Sequence, residues 1–188
     1  YERIDRMHVV THRHLEPLVP RALIHGVTER IDCLGKPIIP LYEHEVREAA
    51  QALIAQGVEA IVVSFLWSFM NDRHERLAGE IVQEELAKAG KDLPVYLGVE
   101  ISPVMRELSR TNAAVIEAYT APLLQGAIRG VQRRLGELGF QGSLQLMQSA
   151  GGLALAEHVK AVETVQSGPV GGLMGGKFIG DVYGIQNI

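Results

Sequence analysis

Apolar and polar positions change their period several times along the chain, and each change marks an element. Val27-Thr28-Glu29-Arg30-Ile31-Asp32 alternates apolar and polar, the period of a half-buried strand. Leu34-Gly35-Lys36 then turns the chain into Pro37-Ile38-Ile39-Pro40, which predicts a hairpin. From Glu43 the period becomes helical: Val46, Ala49, Ala50, Leu53 and Ile54 share one stripe, and Gly57 ends it. Val58 to Leu66 is a nearly continuous apolar run rich in β-branched residues, as expected of a strand covered on both faces. A second helix is predicted from Asp72 to Ala89, with Leu77, Ile81, Val82, Leu86 and Ala89 inward.

Leu93 to Gly98 reads as a second short strand. Ser102-Pro103, a capping residue followed by proline, predicts the start of a long helical region, interrupted at Pro122 and closed by Gly139. Ser143 to Gln148 is a third strand, Ser149-Ala150-Gly151-Gly152 a tight loop, and Ser167-Gly168-Pro169 opens a last helix reaching Val182. Strand–helix alternation of this kind implies an α/β fold with a mainly parallel sheet and helices on its faces. The helical stretch from Thr111 to Leu138 is the expected link between two domains, and the chain holds no internal repeat or low-complexity tract.

Composition narrows the function classes. The 188 residues are 47% hydrophobic and 21% charged, ample for a core, and the formal net charge of −4 gives no footing for nucleic acid or an anionic membrane. A single cysteine, Cys33, excludes an internal disulfide and, with no signal peptide, points to a reducing cytoplasm. The longest apolar stretch, Val58 to Met70, contains Glu59 and two serines and is too short to span a bilayer. The chain opens on Tyr1-Glu2-Arg3 and stops at Gly184-Ile185-Gln186-Asn187-Ile188, as if entering a strand, so it is expected to be an internal piece of a longer protein.

Two segments carry candidate chemistry. In Ser167-Gly168-Pro169-Val170-Gly171-Gly172, a capping serine and a first-turn proline leave amides free at the positive end of a helix dipole, a site suited to phosphate. Each interior glycine costs a helix about 0.8–1 kcal/mol relative to alanine. The recurrence of Gly171, Gly172, Gly175 and Gly176 therefore implies a smooth face for close approach, either by a ligand or by plain helix–strand packing. The spacing is neither a Walker A nor a dinucleotide fingerprint. The second segment, Gln148-Ser149-Ala150-Gly151-Gly152, would lie at the carboxyl end of a strand, where open α/β sheets bind ligands; the alternative is a simple strand-to-helix turn.

The remaining polar residues read as structural. His8, His12 and His14 match no metal-binding pattern and fit a solvated connector. Asn71 or Asp72 can cap the second helix, with His74 and Glu75 in its first turn, and Cys33 lacks the surroundings of a nucleophile. Arg106, Glu107 and Arg110 would place ion pairs on an exposed helix face.

Several strings together resemble the hydantoinase/oxoprolinase family (hydantoinase A-like). They are Glu16-Pro17-Leu18-Val19-Pro20-Arg21, Val27 to Asp32 with Gly35, Gly57 to Leu66, Asn71 with His74-Glu75, Arg106-Glu107 with Arg110-Thr111, Ala118-Tyr119 with Pro122-Leu123, Met147-Gln148-Ser149 with Gly151-Gly152, and Ser167-Gly168-Pro169. The family includes N-methylhydantoinases, 5-oxoprolinases, and acetone and acetophenone carboxylase subunits. The resemblance implies an actin-like, sugar-kinase-like ATPase fold, with residues 1–112 ending the N-terminal lobe and residues 113–188 beginning a second, hydantoinase A-type lobe. It also implies two Asp-x-Gly-Gly-Thr phosphate loops, one before Tyr1 and one past Ile188, since no Gly-Gly in this chain is followed by Thr. Trp67 stands where many relatives have His, Asp72 where proline is common, Ala150 where Asn is, and Leu108-Ser109 where Tyr-Glu is. These departures fit a carboxylase-type relative at least as well as a hydantoinase.

What the resemblance implies for function is ATP-dependent hydrolysis of a cyclic amide, through phosphorylation of a carbonyl oxygen. A ketone carboxylase subunit forming an enol phosphate is the alternative, and a non-catalytic scaffold lobe is a second. ATP and a divalent metal (Mg or Mn) are implied for the parent, with a small-molecule substrate and a hydantoinase B-type subunit or domain as partner. Ser167, Gly168, Gly171 and Gly172 are the expected phosphate-proximal residues. Gln148, Ser149, Gly151 and Gly152 are the expected substrate-positioning ones. No metal ligand is assigned.

Overall fold

The computed structural model describes residues 16–185; the His8, His12 and His14 segment lies outside them. The first hairpin is made by Asp32, whose Oδ1 accepts from the amides of Leu34 (2.9 Å) and Lys36 (2.8 Å), while Gly35 takes a left-handed φ of +79°. Strand β1 (Arg30–Ile31) thereby pairs antiparallel with β2 (Pro37–Ile39), and Cys33 sits exposed in the turn. Helix α1 (Glu43–Ala55) follows, fixed to the incoming chain by Glu45, which accepts from the Thr28 amide at 2.5 Å and its hydroxyl at 3.1 Å.

The core forms where the apolar stripe of α1 meets β3 (Ile61–Val63), α2 (Arg73–Lys88) and β4 (Val95–Leu97). Strands β3 and β4 run parallel, Ile61 opposite Val95 and Val63 opposite Leu97, with α2 as the crossover between them. Ile61 and Val63 face α1 and α2, while the Ser64 hydroxyl meets that of Thr111 at 2.7 Å on the opposite side. The β3 segment is thus covered on both faces, as its unbroken apolar run predicts.

Beyond β4 the chain departs from expectation. Gly98–Ile101 forms a one-turn helix, α3, and Ser102 ends it rather than starting the next. The long helix α4 begins at Glu107, after Arg106 at a φ of +77°, and runs unbroken to Glu137 with Pro122 inside it. A mid-helix proline costs about 3 kcal/mol. Burial of Ala114, Val115 and Ala121 on one side of it and Ile128 on the other supports the helix through that position.

The third predicted strand, β5 (Gln145–Met147), pairs antiparallel with β6 (Leu153–Leu155). Among the described residues there are three two-stranded ladders, and only β3–β4 is parallel, so the expected mainly parallel sheet is corrected. A short 3-10 turn, Ala161–Thr164, packs on α4 through the Val162 amide, which donates to Glu117 Oε2 at 2.8 Å. Helix α5 (Ser167–Tyr183) ends at Gly184, again left-handed, and leaves Leu173, Phe178, Val182 and Tyr183 exposed.

Candidate functional site

The two candidate segments lie against each other. Gly171 on α5 faces Met147, whose Cγ lies 3.5 Å from where a Cβ would be, and Gly151 likewise faces Met174 and Val170. Gly168 and Gly172 have open space beside them. The helix opens differently from the prediction. Ser167 is its first helical residue rather than its cap, and Gln166, at a φ of +63°, precedes it without a side-chain capping bond. Pro169 does fall in the first turn and has no amide hydrogen, while the Val170 amide donates to the Gln166 carbonyl at 3.4 Å. The free amides at this end are therefore those of Ser167 and Gly168.

Gln148-Ser149-Ala150-Gly151-Gly152 is the turn of the β5–β6 hairpin, not the carboxyl end of a parallel strand. Gly151 adopts a φ of +87°, which glycine alone takes without strain, and its amide closes the turn on the Gln148 carbonyl at 2.9 Å. The Gln148 and Ser149 side chains bond to the segment ahead of α5. Gln148 Nε2 donates to Glu163 Oε2 at 2.8 Å, and the Ser149 hydroxyl reaches the carbonyls of Glu163 (2.7 Å) and Val165. These bonds fasten the chain just before α5, so the turn sets where the glycine-rich helix begins.

A second cluster escaped the sequence reading. Glu75 is fully buried and accepts two backbone amides, Phe65 at 2.8 Å and Val99 at 2.6 Å, the residues just past β3 and β4. Arg110 is also fully buried, correcting the expected exposed ion-pair face. Its guanidinium donates to the carbonyls of Phe65 (2.6 Å) and Val104 (2.8 Å), its carbon lies 5.8 Å from the Phe69 ring centroid, and its Nε has no partner. The carboxylate and the guanidinium thus grip the two ends of residue 65's backbone. Gly98 allows this closeness, because a Cβ there would sit 2.9 Å from Ser64 Oγ and 3.3 Å from Arg110 Cγ. The signal lay in spacing: Arg110, Ala114, Glu117 and Ala121 share one helical stripe and all are buried, as are Glu75, Ala78 and Val82.

Helix α2 repeats the pattern in miniature. Asn71 Oδ1 accepts from the Arg73 amide at 3.1 Å, a capping bond that Asp72 does not make, and buried His74 meets Glu29 Oε2 at 2.9 Å. Glu85 is held to a pKa of about 2 by hydrogen bonds from Gln51, Lys88 and Arg47, and those from Gln51 and Arg47 fasten α1 to α2. Burial, with the Glu117 charge nearby, raises the Tyr96 hydroxyl. Among the described residues no three His, Cys, Asp or Glu side chains converge as a metal site would require.

A family model described as the hydantoinase/oxoprolinase N-terminal region matches residues 2–86, and one described as hydantoinase/oxoprolinase matches residues 110–188. The chain belongs to the hydantoinase/oxoprolinase family. It is 39% identical to the acetone carboxylase beta subunit of Xanthobacter autotrophicus over 188 residues, all of this chain and 26% of that protein. A nucleotide-free structure of acetone carboxylase, from work on ATP-dependent acetone carboxylation, superimposes with a TM-score of 0.88 at 39% identity, covering 98% of this chain and 26% of that one. The ATP-dependent caprolactamase of Pseudomonas jessenii follows at 0.82 and 32%, covering 93% and 25%. The chain therefore spans about a quarter of the length of the family members it matches. The correspondence with two solved family members establishes the α/β fold, and among the described residues no helix is long and apolar enough to cross a membrane.

Proposed function

We propose that this chain is a segment of an ATP-dependent enzyme that activates the oxygen of a small carbonyl compound by phosphorylation. The observation that carries this reading is likeness at 32–39% identity, over nearly the whole chain, to acetone carboxylase and to the ATP-dependent caprolactamase. In a cyclic amide, phosphorylation of the carbonyl oxygen makes a better electrophile for water and opens the ring. In a ketone, loss of an α-proton and phosphoryl transfer to the enolate oxygen give an enol phosphate; its carbon bonds to carbon dioxide as the O–P bond breaks and the phosphoryl group passes to water, leaving a β-keto acid and inorganic phosphate. The 39% identity across all of the chain favours the ketone reaction as the second reading. The scaffold alternative has no observation in its favour.

On this reading the fold is the actin-like ATPase type, divided near residue 112, and a hydantoinase B-type subunit or domain completes the enzyme. The residues at the head of α5 suit the phosphate end of a nucleotide, with two free amides at Ser167 and Gly168 and open space at Gly168 and Gly172. Gly171 sets that helix against Met147. Gln148, Ser149, Gly151 and Gly152 would position the substrate indirectly, by holding the entry to α5. The described residues do not supply a divalent-metal site; on this reading the carboxylates that hold the metal belong to Asp-x-Gly-Gly-Thr loops of the longer protein.

The test is ADP release by the intact enzyme offered acetone with bicarbonate, or a lactam, hydantoin or 5-oxoproline. Stimulation by a cyclic amide supports ring opening, and stimulation by the ketone supports carboxylation. Release that none of these compounds stimulates overturns the reading.

A further inference from the structure

We propose that Trp67 determines substrate specificity, its indole covering the hydrocarbon part of the small carbonyl compound. Position 67 has a left-handed φ of +56°, a backbone that a bulky residue adopts only under strain and glycine adopts freely. Arg106 and Gln166 share that backbone, but each stands immediately before a helix, whereas Trp67 lies inside the loop that follows β3. Glycine would make the same turn without the strain, so what position 67 retains is the side chain. Core packing does not account for it. Phe65 packs against the core of α1, β3, α2 and β4, but Trp67 does not, and its aromatic neighbour among the described residues is Phe69, with ring centroids 5.5 Å apart.

The loop around Trp67 is held at both ends. The Trp67 carbonyl accepts from the amides of Met70 (2.9 Å) and Asn71 (3.2 Å), and Asn71 Nδ2 donates to the Gly35 carbonyl of the first hairpin at 2.7 Å. Ser68 is buried and donates its hydroxyl to the Phe65 carbonyl at 3.2 Å. That carbonyl also accepts from Arg110, while the Phe65 amide donates to Glu75. Backbone strain persists only where the surroundings over-determine it, and such places cluster at ligand sites. This one lies beyond the carboxyl end of β3 in the parallel β3–β4 pair, the edge at which open α/β sheets bind ligands.

The chemistry of the loop selects the class of ligand. Charges beside it are already engaged: Arg110 with the carbonyls of Phe65 and Val104, Glu75 with two amides, and Arg76 with Asp72 and Glu100. What the loop offers beyond them is the aromatic surface of Trp67 and Phe69. Such a surface suits an alkyl group or the methylenes of a ring, rather than a phosphate. The inference rests on the reading above that the substrate is a small carbonyl compound.

The test uses the intact enzyme and whichever carbonyl compound stimulates its ADP release. Trp67→Gly should raise KM for that compound about 10-fold with kcat little changed, and should shift preference toward a homologue carrying a larger hydrocarbon group. KM for ATP should stay within about twofold of the wild type, and the melting temperature should hold or rise as the strain is relieved. A lower melting temperature would make the indole a packing residue, and a raised KM for ATP would make it a nucleotide contact. Either result overturns the proposal, as does an unmoved KM for the carbonyl compound. If no compound stimulates the wild type, the functional reading fails first and this inference with it, so the two failures are distinguishable.

Discussion

Gly171 and Gly172 are neighbours in sequence with opposite surroundings. A side chain at Gly171 meets Met147, whereas one at Gly172 enters open space. In the intact enzyme Gly171→Val should therefore lower stability by about 1–3 kcal/mol through overpacking, measured by thermal melting. Gly172→Val should leave melting nearly unchanged and weaken nucleotide binding, measured by titration with ATP; normal affinity would remove Gly172 from the phosphate-proximal set. Arg110 has two carbonyl partners and no acidic one among the described residues, and Glu75 holds two amides. Arg110→Met would leave the carbonyls of Phe65 and Val104 without their charged donor. The expected loss is about 3 kcal/mol in urea unfolding; a loss below about 1 kcal/mol would show that the buried guanidinium is dispensable.

Helices α1 and α2 are joined through Glu85, where the partners of one carboxylate come from both. Its folded pKa of about 2 lies below the ordinary 4.5, so this contribution is present above pH 4.5 and is lost as pH falls toward 2. Glu85→Gln should be less stable than the wild type at pH 7, and the two denaturation midpoints should converge across that acid window. Parallel curves would assign the effect to packing rather than charge. These helices were legible because their apolar stripes are unbroken and glycine ends α1. The β5–β6 hairpin was not, because Leu153-Ala154-Leu155 is too short to announce a strand and its double glycine also suits a strand-to-helix turn. The continuity of α4 was hidden for another reason: local propensity argues for a break at Pro122, and packing outweighs it. In the candidate site the glycines and the start of the helix that carries them were readable, whereas Arg110 and Glu75 were hidden by their charge. Burial of a charge depends on partners from distant segments.

For the molecule as a whole, the chain by itself should hydrolyse no ATP above background, because none of its Gly-Gly pairs is followed by Thr and no metal-holding cluster occurs among the described residues. Phosphate release from contaminant-free protein measures this, and robust turnover would refute it. The two halves of the chain are held together by α4 and by short ties. Glu117 accepts from Val162, and Lys160 Nζ donates to the carbonyls of Glu100 (2.6 Å) and Ile101 (3.1 Å) at the end of α3. Those ties end beside the carboxyl ends of β3 and β4, where Glu75 and Arg110 clamp a single residue's backbone from opposite ends. A floor clamped in this way has little motion left to surrender. A molecule settling on it would lose only its own freedom and would not have to order the protein beneath it. In calorimetry its heat-capacity change should track the apolar area it covers, without the larger negative excess that marks folding coupled to binding.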